Sequence, residues 1–113
     1  MHAGIPERDW KVFRDLYEKA LDRFCHRALD EIATLCTGAD DERTNHQRYA
    51  AVYGRLREIN KDMSAAFDRF ARSKALMQIA IMRNMGLWTD EELARFSEDT
   101  LERTKPRPLD EEE

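Results

Sequence analysis

Residues 68–82 read DRFARSKALMQIAIM, three cations, Arg69, Arg72 and Lys74, running into a nearly unbroken apolar tract. The stretch contains neither Gly nor Pro, so nothing in it signals a turn. Read as helix, it continues a pattern that starts far upstream. Apolar residues recur from Tyr49 through Val52, Leu56, Ile59 and Met63, then Phe70, Met77 and Ala80, a heptad-like stripe interrupted only by Ser73. The reading is one helix of about forty residues, from about 44 to 85, opened by the capping-box sequence TNHQ (44–47) and closed before Gly86.

Upstream, Pro6 with Glu7 and Asp9 has the form of a helix start, because Pro suits the first turn and acids suit the positive end of the helix dipole. A stripe from Trp10 through Phe13, Tyr17, Leu21 and Phe24 to Leu35 carries this first helix to about 37, where Gly38 stops it. The intervening TGADDERT is turn-like, so the two long helices are expected to form an antiparallel hairpin. Facing residues then have numbers summing to roughly 82, since both helices rise about 1.5 Å per residue. That register sets Trp10 opposite Ser73.

Downstream, TDEE (89–92) is a second capping box, and Leu93, Phe96 and Leu101 give a short third helix, about 89–103, an apolar face. This helix is expected to fold back over the apolar end of the second. The fold class is therefore all-α, a long hairpin plus a short third helix. Low Gly and Pro content, four and three residues, agrees with that class. Residues 1–104 are read as a single helical domain and 105–113, with its run of acids, as a disordered tail.

Composition narrows function mainly by exclusion. A net charge of −4 argues against general attraction to nucleic acid or anionic membrane, and the apolar tract at 75–82 is far too short to span a bilayer. The N-terminal sequence MHAGIPERDW has no apolar leader core, so a cytoplasmic location is expected. His2, His26 and His46 form no metal-ligand spacing, no glycine-rich phosphate loop is present, and neither cofactor nor metal is expected. Cys25 and Cys36 lie about 16 Å apart along one helix and cannot pair within it. Asp22 and His26, one turn apart, are placed for a surface ion pair.

Fourteen Arg against five Lys is a skew that fits bidentate salt bridges as well as an anion site. Arg69 and Lys74 flank the hairpin seam near Asp15, Glu7 and Asp9, while Arg72 stands one turn from Asp68.

The expected function is a non-catalytic helical module, a homodimer that presents a surface to another protein. Two hairpin tips are expected to complete a four-helix bundle through Leu29, Cys36, Tyr49, Val52, Tyr53 and Ile59, because two helices alone leave these side chains wet. Trp88 and Phe96 are candidate anchors for a second protein, with Trp88 alternatively closing the core at its turn. An Arg-lined pocket drawing on Arg69, Arg72 and Arg83, binding or acting on a small anion, is the alternative. A weak nucleic-acid surface on the basic half of the second helix is a further one.

Overall fold

The computed structural model describes residues 4–38 and 42–106. The expected tail is described only as far as residue 106, and its acidic run lies outside the described residues. Five α-helices account for the architecture: α1 (Glu7–Cys36), α2 (Asn45–Phe67), α3 (Ala75–Asn84), α4 (Asp90–Leu93) and α5 (Glu98–Arg103).

Helix α1 begins as its sequence predicts, after Pro6 and with Glu7 and Asp9 in the first turn. It ends at Thr37, whose amide donates to the carbonyls of Ala33 and Thr34, while Arg48 donates to the carbonyl of Cys36 at 2.7 Å. The Thr44–Gln47 capping box opens α2, side chain and backbone bonded in both directions. The two helices run antiparallel. Glu31 lies against Arg55, Cys36 against Arg48 and Tyr17 against Phe67, residue numbers that sum to about 85, close to the register expected from equal rise.

The second helix is not continuous to 85. It stops at Phe67; Asp68 is extended, Arg69 adopts φ 60°, and a 3-10 turn (Arg72–Lys74) leads into α3. Tertiary contacts override the helical pattern here. Phe70, still 38% exposed, stacks on Trp10 at 4.9 Å between ring centroids and meets Tyr17 at 4.3 Å. Tyr17 Oη donates to the carbonyl of Phe67 at 2.6 Å, and the buried Gln78 donates to that of Asp68 at 3.0 Å, so two carbonyls released by the break regain partners. Arg72 leaves Asp68 and bonds Glu7 and the carbonyl of Ile5 instead. The residue facing Trp10 is thus Phe70, and Ser73 is exposed.

Folding α3 back at this corner buries Ala75, Ile79 and Met82 in the core. Gly86, at φ 67°, ends the helix in the left-handed region that glycine tolerates best. The expected third helix is two short ones. The Thr89–Glu92 capping box opens α4, and Ser97 caps α5. Between them the chain turns so that the amide and hydroxyl of Ser97 reach Asp9 on α1 at 2.9 and 2.6 Å.

The core occupies one end of the molecule. It joins Phe13, Leu16 and Ala20 of α1 and Ala66 and Phe67 of α2 to α3 and to Leu87, Trp88 and Phe96. Among the described residues of 21–58, none is buried. The far half of the hairpin therefore projects as a two-helix arm, and the radius of gyration is 17.3 Å against about 13 Å for a compact chain of this length.

Candidate interaction surface

The arm is built from the last three turns of α1 and the first half of α2. Each helix has one row toward the other: Phe24, Ala28, Glu31 and Leu35 on α1, and Arg48, Val52, Arg55 and Ile59 on α2. On another side of α1, Asp9, Leu16, Arg23 and Arg27 hold the α3–α5 unit. Arg23 makes a bidentate bond to Glu92 and a third to the carbonyl of Leu87, Arg27 donates to the carbonyls of Met85 and Gly86, and the Trp88 indole donates to the carbonyl of Leu16.

Among the described residues, nothing covers the remaining side of the arm. At about 100° per residue, Cys25, Leu29, Ile32 and Cys36 form one row on α1, nearly opposite the row that holds α3–α5. Tyr49, Tyr53 and Leu56 form the matching row on α2. Each row is displaced by about a quarter turn, in the same sense, from the row facing the other helix; in antiparallel helices that places both on one side of the hairpin. Leu29 is 70% exposed, Tyr49 69% and Tyr53 56%, so three large apolar side chains stand in water on one face. Toward the core the same row of α1 continues as Asp22, Glu18, Arg14 and Lys11, and that of α2 as Asn60 and Ser64, all exposed. The apolar face thus gives way to polar residues toward the core on both helices, about one turn earlier on α2 than on α1.

Several sequence expectations need relocation. Of the residues assigned to a dimer surface, Leu29, Cys36, Tyr49 and Tyr53 are exposed and Val52 is half-buried, but Ile59 is buried in the hairpin's own seam. Trp88 and Phe96 are not surface anchors. Both are core residues, 8% and 3% exposed, with ring centroids 5.8 Å apart, and Trp88 closes the core at its turn. The row of Cys25, Ile32 and Leu56 was missed because Ile32 and Leu56 also fit the hairpin stripe. The legible signal was the change from charged to apolar along one face of α1.

The Arg residues are mostly structural clamps. Arg8, Arg23, Arg27, Arg48, Arg72 and Arg83 each donate to a main-chain carbonyl outside regular pairing or across elements. A planar guanidinium with several donors suits two acceptors at once, which explains the preference over Lys. Of the candidate anion contacts, Arg72 is tied to the start of α1 and Arg83 to Leu101 and Thr104 at the end of α5, while Arg69 is exposed at the corner. They do not converge on one pocket.

A groove of about 240 Å³ lies on the side of the hairpin near α3, with Phe24, Ile59 and Met85 in its wall. Its cations are committed: Arg55 is bonded to Glu31 and Glu58, and Arg27 to two carbonyls. Glu31 beside Arg55 is held below the usual carboxylate range by that hydrogen bond. His26 pairs with Asp30, 3.4 Å away, rather than with Asp22. Among the described residues no group of three or more His, Cys, Asp or Glu gathers to hold a metal ion, and no helix is long and apolar enough to cross a membrane. No protein-family model, curated protein or solved structure matches the chain.

Proposed function

We propose that the protein is a non-catalytic helical interaction module whose projecting arm associates with a second copy, the two hairpins together making a four-helix assembly that can serve as an adaptor for another protein. What supports this reading is the bounded apolar face on an arm in which none of the described residues of 21–58 is buried. Exposed apolar faces that end sharply in polar residues mark contacts between chains, and cyclic pairs are the commonest closed assembly. Of the buried polar side chains of the body, Asp9, Thr100 and Thr104 are engaged in bonds that hold helices together, and Gln78 donates to the carbonyl of Asp68 while its Oε1 has no partner. Two unpaired cysteines fit a reducing cytoplasmic setting.

Native mass spectrometry on gently purified protein tests this reading. A two-chain species with no added mass is the expected result. A single-chain species at every concentration, or a fixed extra mass belonging to a retained small molecule, overturns it in favour of a monomer or of a ligand-binding pocket.

A further inference from the structure

We infer that the corner joining α2 to α3 binds single-stranded nucleic acid, a base extending the Trp10–Phe70 ring stack and Arg14 and Arg69 holding the phosphates on either side. The site lies in the body, and it stands or falls separately from association through the arm.

Most of the described arginines are tied to carbonyls, carboxylates or, for Arg57, the Tyr53 ring at 5.9 Å. Among the described residues, Arg14 and Arg69 are the arginines with no hydrogen bond, ion pair or ring contact. Both border the same aromatic cluster. Phe70 lies 4.9 Å from Trp10 and 4.3 Å from Tyr17 between ring centroids, so its ring crosses the α1 surface between those positions. Arg14 emerges from that surface, one turn after Trp10 and one before Tyr17, and helical side chains lean toward the N-terminus, over the turn that carries Trp10. Arg69 directly precedes Phe70. Its φ of 60° is a conformation that a residue with a Cβ holds only under constraint, and such residues gather at binding sites.

Trp10 and Phe70 are nearly parallel, 19° between ring planes, and Phe70 is 38% exposed, so a flat group can continue the stack. Two free guanidiniums beside it suit a ring with an anion on each side. A nucleotide within a single strand has that form, whereas a duplex keeps its bases in its own stack. The surface is open, which suits a strand held at several points over a free nucleotide, whose sites are concave. The acids of α4 and α5 lie away from it. Asp9, Leu16 and Arg23, which hold those helices, stand nearly opposite Arg14 around α1 at about 100° per residue. Glu7 is paired with Arg72, while Asp68 and Glu18 keep their charge at the edge of the patch and hold the affinity down. Binding is therefore weak and sensitive to salt.

Fluorescence anisotropy of a fluorescein-labelled oligodeoxythymidine of about twelve nucleotides, titrated with the full chain at about 25 mM salt, tests this. Saturable binding is expected, with affinity falling as salt rises. Arg14→Gln and Arg69→Gly each weaken it more than about threefold and flatten the slope of log affinity against log salt by about 0.7, the share of one phosphate contact on a single strand. Phe70→Leu keeps an apolar side chain at the corner; it weakens binding several-fold and leaves the slope unchanged, because stacking releases no counterions. Lys61→Gln removes an exposed cation whose register sets it beside position 24 rather than 14, and leaves affinity unchanged. Circular dichroism checks that each variant is folded.

No binding at that salt, or Arg14→Gln and Arg69→Gly with unaltered affinity and slope, overturns the site. A duplex of the same length bound as tightly as the strand overturns the stacking of a base. Thymidine monophosphate bound as tightly overturns the strand in favour of a free nucleotide. A polyglutamate of equal charge that binds with the same dependence on Phe70 overturns nucleic acid in favour of an acidic protein segment.

Discussion

Asp9 is a buried carboxylate that fastens two ends of the body. Its carboxylate is fully buried and accepts from the amide and hydroxyl of Ser97 and, at 2.5 Å, from the hydroxyl of Thr100, so one residue in the first turn of α1 fastens the start of α5. Burial opposes its ionisation, but the bonds from Ser97 and Thr100, with Arg8 nearby, outweigh burial and lower its pKa. Replacing it by Ala leaves those donors unpaired and is expected to cost about 2–4 kcal/mol, read as a fall in the urea midpoint. Glu92, bonded by Arg23 and by Thr89, is lowered to about 2. Both carboxylates ionise more readily folded than unfolded, so their contribution is complete above the ordinary range near 4.5 and is lost as pH falls through the folded values. Urea midpoints should decline between about pH 5 and about pH 2, and less so in Glu92→Gln; a flat acid profile in the wild type would contradict this. Arg69 offers the opposite change. Its φ of 60° disfavours any residue with a Cβ, so Arg69→Gly is expected to stabilise the chain by about 0.5–1 kcal/mol, visible as a raised melting temperature.

At the scale of elements, both capping boxes were legible in advance because each couples a hydroxyl and a long polar side chain at a fixed spacing. Thr89→Ala removes the bond to the amide of Glu92 and loosens the partner of Arg23, with an expected loss of about 1 kcal/mol and faster amide exchange in α4. The start of α1, its end near Thr37 and the antiparallel pairing were legible for the same kind of reason: the signals are local or follow directly from helical rise. The corner after Phe67 was not. Residues 68–74 hold no Gly or Pro and a periodic stripe runs through them, so only the distant partners Trp10, Tyr17 and Glu7 decide that the helix breaks. The split of the third helix was hidden likewise, because the bond from Ser97 to Asp9 spans most of the chain. Of the candidate surface, Leu29, Tyr49 and Tyr53 were legible as apolar residues without enough helix to cover them. Trp88 was misplaced because its cover comes from α1, and Phe96 because it packs on Trp88 in the core.

The whole molecule divides into a packed body and a thin arm. The body combines a continuous core with an Arg–carbonyl frame, whereas in the arm the described residues make one helical seam whose bonds include the ion pair of Arg55 with Glu31 and the bond from Arg48 to Cys36. Stability is therefore uneven. In the isolated chain, amides in the second half of α1 and the first half of α2 should exchange faster than those at 13–20, and self-association should slow them. Equal protection of arm and body in dilute protein would contradict that division.

The most direct test is sedimentation velocity of the full chain across a concentration series, with L29K run beside it. The arm account predicts that the wild type moves from one-chain to two-chain sedimentation as concentration rises, while L29K stays a folded single chain over the same range. A wild type that remains a single chain throughout, or an L29K variant that associates as strongly as the wild type, would show that the exposed face of the arm is not where two copies meet.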